Sequence, residues 1–191
     1  METSQSIAQI LIKSLATALG LLLIPIIASF IVKGFLWTTS DYVFAFILFF
    51  VPTLAYRLIT RSAHNFKYRL AIAFALLTGF ATVWINMAVG IVGDEDNLFN
   101  LVYFGVLAIG LLGANIVRFK PEGMVKVMAV MTALLVPITF AALVLGYQDL
   151  PHSSVAQILG VNAFFGVLYA QSAFLFRYAS EKSDSPQLAK S

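Results

Sequence analysis

Apolar residues run almost unbroken through six stretches of this chain, and polar residues collect in the short intervals between them and at the two ends. The stretches fall at roughly 10–32, 41–60, 70–92, 98–118, 124–146 and 155–177, each near the ~20 residues a helix needs to cross ~30 Å of hydrocarbon. A bilayer offers no water to a free backbone N–H or C=O, so segments of this length satisfy those groups internally, as helices. The pattern predicts an all-α polytopic membrane protein, a six-transmembrane-helix bundle. Residues 1–177 are expected to form a single membrane domain, and 178–191, charged and Ser-rich, a short cytoplasmic tail. The first stretch is too long for a signal-peptide core and is expected to stay as an anchor.

Charge gives the stretches a direction. Arg57, Arg61, Lys67 and Arg69 lie between the second and third, and Arg118, Lys120 and Lys126 between the fourth and fifth. The alternate connections hold Asp41, Asp94, Glu95, Asp96 and Asp149, with Lys33 their one basic residue. Adding Lys13, Arg177, Lys182 and Lys190 puts 11 of the 12 Lys and Arg residues on one side. By the positive-inside rule that side is cytoplasmic, with both termini on it.

The composition agrees with lipid as solvent: 60% of residues are hydrophobic and 11% charged, with a mean hydropathy of +0.91. The net charge of +3 is spread over short connections, where it orients the chain in its bilayer and does not predict a nucleic-acid partner. The absence of Cys excludes disulfides, thiolate nucleophiles and Cys-based metal or iron–sulfur sites. His64 and His152 are separated by the expected topology and cannot ligate one haem within a protomer. His152 with Asp149 is a candidate for pH sensing or metal binding at the outer face. No phosphate loop, His-Glu-x-x-His helix or nucleophile elbow is present. No catalytic residue or cofactor is therefore assigned.

Two sets of residues stand out against the apolar background. Asn86, Asn115, Asn162 and Gln171 fall inside predicted spans, where an unpaired amide is costly. They are expected either to bond between helices or to line a polar site in the bundle. The run 84–100 ends a span in Asp94, Glu95, Asp96 and Asn97 and starts the next at once. Gly90 and Gly93 suit a tight exit and Asn97 a helix cap; alternatively the four oxygen-bearing side chains form an outer cation or partner site, for no particular metal. Pro25 and Pro137 each remove an amide donor from mid-span. Gly110 with Ala114 and Gly166 with Ala170 suit close helix approach, and the addition of Gly105 and Gly113 suggests span four as the bundle centre. Trp37 is expected at an outer interface.

Trp-Ile-Asn-Met-Ala-Val-Gly-Ile-Val-Gly-Asp-Glu-Asp-Asn at 84–97, Tyr-Phe-Gly-Val-Leu-Ala at 103–108 and Arg-Phe-Lys-Pro-Glu-Gly-Met at 118–124 resemble a family of small uncharacterised bacterial multi-pass inner-membrane proteins. The resemblance covers about forty residues, from Trp84 to Met124. It implies a bacterial cytoplasmic (inner) membrane location and no particular substrate, cofactor or catalytic residue. A typical relative has a proline soon after the acidic turn, where this chain has Leu98-Phe99-Asn100, so the start of span four is left open. The reading favoured is a helical accessory or interaction subunit, in contact with lipid and with further copies of itself or other membrane subunits. The alternative is a small-solute transporter or channel with a neutral polar route through the bundle. Membrane enzyme chemistry, with the 94–97 turn as its site, comes third.

Overall fold

The computed structural model describes residues 6–63 and 65–181. Among them there is no strand. Six helices follow in order: α1 (Ile7–Ile31), α2 (Thr39–Ile59), α3 (Phe66–Val89), α4 (Leu101–Ile116), α5 (Pro121–Val144) and α6 (Val155–Glu181). Short 3-10 turns at Leu98–Asn100 and Tyr147–Asp149 precede α4 and α6. All six segments are long and apolar enough to cross a membrane, α4 together with its 3-10 turn.

Local chemistry sets the ends where hydropathy alone does not. Ser6 and Gln9 form a reciprocal capping box that starts α1, with Gln9 N donating to Ser6 Oγ at 3.2 Å and Ser6 N to Gln9 Oε1 at 3.0 Å. Asn65 Oδ1 accepts from Lys67 N at 2.9 Å, so α3 begins among basic residues, ahead of the apolar stretch. It ends at Val89 because Gly90 turns to φ +73°. Pro121 occupies the first turn of α5, where its missing N–H costs nothing. At the far end, Arg177 pairs with Glu181 at 3.2 Å, and α6 carries residues 178–181 as helix where a tail was expected. Residues 182–191 lie outside the described residues. Pro25, Pro52 and Pro137 all sit inside continuous helices.

The chain groups into two compact units, Met1–His64 and Asn65–Ser191. In the first, α1 packs on α2, and Arg57 Nη2 donates to Thr17 Oγ1 across the pair at 3.1 Å. The connection between these helices stacks Phe35, Trp37 and Tyr42, with ring centroids 5.2 and 5.4 Å apart. Asp41 accepts from the Thr38 amide and hydroxyl there, at 2.6 and 2.9 Å.

In the second unit α6 lies between α3 and α5, and α5 packs in turn on α4. The buried residues of α6 are Ile158, Asn162, Phe165, Tyr169, Ser172, Phe176 and Ala179, alternating by four and three. Met124, Met128, Met131, Leu135, Ile138 and Ala142 repeat that spacing on α5. These stripes are the faces the two helices bury: α5 packs on α6 and α4, and the α6 stripe also meets α3 through Tyr169 and α4 through Asn162. The centre of this unit is thus the α5–α6 pair, and the expectation that span four holds the centre is corrected. Gly110 and Gly113 of α4 do bring it close, against Met131 and Val127 of α5, but Gly105 meets nothing within 4 Å. Leu111, Leu112 and Ile116 are exposed on the far side.

Outward faces carry large apolar side chains throughout, from Phe30 on α1 (85% exposed) to Phe174 on α6 (68%), while Thr78, Thr82, Asn86, Asn162 and Ser172 are buried. Apolar surface on this scale is untenable in water and fits hydrocarbon. The chain is a multi-pass integral membrane protein whose outer faces meet lipid.

Candidate functional site

The polar groups buried in the α3–α6 unit form three connections at successive levels. Thr78, Thr82 and Asn86 are four residues apart and share one face of α3. The Thr78 hydroxyl donates to Phe74 O at 2.9 Å, and that of Thr82 to Thr78 O at 2.9 Å. Thr82 Oγ1 also lies 2.9 Å from Tyr169 Oη on α6. A carbonyl only accepts, so the single Thr82 proton goes to Thr78, and Tyr169 is the donor to Thr82. This fixes the direction of the α6-to-α3 bond.

The second connection joins α4 to α6. Tyr103 Oη donates to Asn162 Oδ1 at 3.0 Å, and Asn162 Nδ2 donates to Ile158 O at 2.9 Å. Both residues are buried, at 1% and 3% exposure, and the back-bond to Ile158 holds the amide with its oxygen towards Tyr103.

The third organises the turn between α3 and α4. Asn100, 2% exposed, accepts at Oδ1 from Ile91 N (3.2 Å) and Val92 N (2.9 Å) and donates from Nδ2 to Val92 O (3.2 Å) and Asp94 O (2.7 Å). Those four bonds fill the capacity of one amide side chain. Asn86 Nδ2 donates to the Asn100 carbonyl at 2.9 Å, tying α3 to the start of the next span. A Cβ on Gly90 would run into Asp94 O and Asn100 Nδ2, so the turn closes around Asn100 only with glycine there.

The expected polar set therefore divides. Asn86 and Asn162 are buried and bonded, not to each other but to Asn100 and Tyr103, which are neighbours along the α4 entry. Asn115 is exposed near the end of α4, its Nδ2 folded back on Leu111 O at 2.7 Å. Gln171 is exposed on α6. The two exposed amides are not brought to the buried pair.

The outer turn divides likewise. Asn97 Nδ2 donates to Val92 O at 2.9 Å and its Oδ1 accepts from Phe99 N at 3.1 Å, so it caps the 3-10 turn ahead of α4. Asp94, Glu95 and Asp96 are exposed. Among the described residues no group of three or more His, Cys, Asp and Glu side chains is placed to hold a metal ion. The connection before α6 covers this turn: Phe99 and Tyr147 rings are 4.7 Å apart, and a Cβ on Gly93 would sit 3.2 Å from Leu150 Cδ1. Asp149 and His152 are exposed, and His64 lies outside the described residues.

Sequence reasoning passed over Asn100, Thr82 and Tyr169. The signals were present: Thr78, Thr82 and Asn86 recur every fourth residue, and Tyr169 follows Asn162 by one heptad. Chemically, the arrangement joins helices through neutral donors and acceptors that are used on one another and on the main chain. Comparison with protein families, curated proteins and solved structures returned no match.

Proposed function

We propose that this protein is a helical accessory or interaction subunit of a bacterial inner membrane, with both termini cytoplasmic. One observation carries the reading: Thr82, Asn100, Tyr103, Asn162 and Tyr169 direct their side chains into bonds between helices and turns. A solute route needs polar groups facing the solute, and two of the four amides that would supply it, Asn115 and Gln171, lie on outer faces. The resemblance over 84–124 supports the membrane assignment, and the charge distribution supports the orientation.

The test is reconstitution of the purified protein in liposomes with a panel of ions and small neutral solutes. Flux equal to that of empty liposomes, from protein shown to be inserted, is the expected result. A defined solute that moves with wild type, and not with a folded Asn162→Leu variant, would replace the accessory reading with transport.

A further inference from the structure

The α4–α5 connection places an arginine where its backbone suits glycine. Phe119 N donates to Ala114 O at 2.9 Å and Arg118 N to Asn115 O at 3.0 Å, the paired bonds of a Schellman helix end. Its left-handed residue is usually glycine, which has no Cβ to clash. Here that residue is Arg118, at φ +54°, and Phe119 follows at φ +57°. Tyr68 Oη holds the strained segment by donating to Phe119 O at 2.7 Å. A non-glycine pair in this region is uncommon and points to work done by the side chains.

Arg118 is exposed and belongs to a basic rim. Lys120 and Lys126 follow it, Arg69 and Lys67 begin α3, and Arg177 lies one turn before the end of α6. Two pins draw these ends together: Asn65 Nδ2 donates to Ala179 O at 3.2 Å, and Lys67 Nζ lies 3.4 Å from the centroid of the Tyr178 ring. Against six cations the described rim has two carboxylates, Glu122 and Glu181, the second paired with Arg177. Among the described residues the other end of the same unit has Asp94, Glu95, Asp96 and Asp149 and no Lys or Arg. Exposed Phe66, Leu70 and Ile116 adjoin the rim in sequence. A cationic edge bordering an apolar wall suits a ligand with an anionic head and a hydrocarbon body.

We propose that this rim, with Arg118 at its strained apex, binds the headgroups of anionic phospholipids in the leaflet it faces. Positive-inside orientation requires only a count of charges, whereas the observed geometry fixes a cation where the backbone favours glycine. The inference rests on the membrane reading and goes beyond the proposed accessory role.

The experiment places the full-length protein in nanodiscs of phosphatidylcholine alone or of equal parts phosphatidylcholine and phosphatidylglycerol. Lipid retained by the released protein is read by native mass spectrometry, together with the thermal midpoint in each disc. Wild type is expected to retain phosphatidylglycerol selectively and to melt higher in the mixed discs. Arg118→Gly, which relaxes the backbone, should melt no lower than wild type in phosphatidylcholine yet lose about fivefold in selectivity, the effect of one cation at an anionic surface. Lys33→Gln, outside the rim, should leave selectivity unchanged. Equal retention of both lipids by wild type, or unchanged selectivity in Arg118→Gly, overturns the proposal. So does stabilisation by inorganic phosphate matching that by the lipid, which would make the site one for free anions. Failure to enter discs of either composition would overturn the membrane reading along with it.

Discussion

Tyr169 on α6 donates to Thr82 on α3 at 2.9 Å, while the Thr82 hydroxyl passes its own proton to the carbonyl of Thr78. Both side chains are buried, at 1% and 3% exposure, so the two halves of the bond are unequal under mutation. Tyr169→Phe removes the donor and leaves Thr82 still bonded to Thr78; a loss of about 0.6 kcal/mol, the average for hydrogen bonds between membrane helices, is expected. Thr82→Val strands the Tyr169 hydroxyl in the interior and should cost about 1–3 kcal/mol. Unfolding in mixed micelles gives both values. The double variant should fall short of their sum, since each change removes the same bond; full additivity would mean that the two side chains act independently.

Asn100 is the most heavily bonded side chain of the turn between α3 and α4, and Asn100→Ala leaves Ile91 N and Val92 N without their acceptor. Both residues are buried, at 1% and 0% exposure, so water does not readily take its place. The expected cost is about 2–4 kcal/mol, two stranded donors at the lower part of the usual range. Hydrogen exchange locates the damage: amides 91 and 92 should exchange faster, and those of α6 at their former rate. A uniform increase across α5 and α6 would show that the turn is not a local unit.

Apolar run length and the polar intervals between runs made the six helices legible, because a bilayer imposes one length and one backbone solution on every span. Their ends were less so. Asn65 and Ser6 set helix starts through individual side-chain bonds, and hydropathy does not register a cap. The buried polar site was half legible. Asn86 and Asn162 stood out as amides among apolar residues, but so did Asn115 and Gln171, and whether an amide faces in or out depends on which helices pack together. The heptad seams of α5 and α6 hold that information in the sequence. Reading them in place of glycine content would have put the α5–α6 pair at the centre, because small residues mark one close contact while a seam marks a whole packed face.

The glycines of the second unit should rank by what a methyl group meets. Gly105 has nothing within 4 Å, so Gly105→Ala gains helix propensity and should stabilise by about 0.5–1 kcal/mol. Gly110→Ala meets the thioether of Met131, a flexible chain that can withdraw, and should cost about 1 kcal/mol. Gly123→Ala runs into Cβ of Val117 and both its methyls. A β-branched side chain near its own backbone has nowhere to turn, so a loss of about 2–3 kcal/mol is expected. Thermal midpoints in detergent give the order directly, and Gly110→Ala falling below Gly123→Ala would contradict it.

The orientation is open to a chemical test because the chain contains no cysteine, so a single introduced thiol reports without background. Glu95 sits in the exposed acidic turn before α4 and Glu122 in the exposed start of α5, beside Lys120. Basic connections are retained on the cytoplasmic side during insertion, so the proposed orientation predicts Glu95 outside and Glu122 inside. In intact spheroplasts a membrane-impermeant maleimide should label Glu95→Cys at once and Glu122→Cys only after the membrane is opened. Each substitution removes a negative charge, to which the positive-inside rule is largely indifferent, so the probes should not disturb what they measure. The reverse labelling pattern would place the basic rim and Arg118 on the outer face, and labelling of both thiols in closed spheroplasts would mean that residues 96–121 do not cross the bilayer.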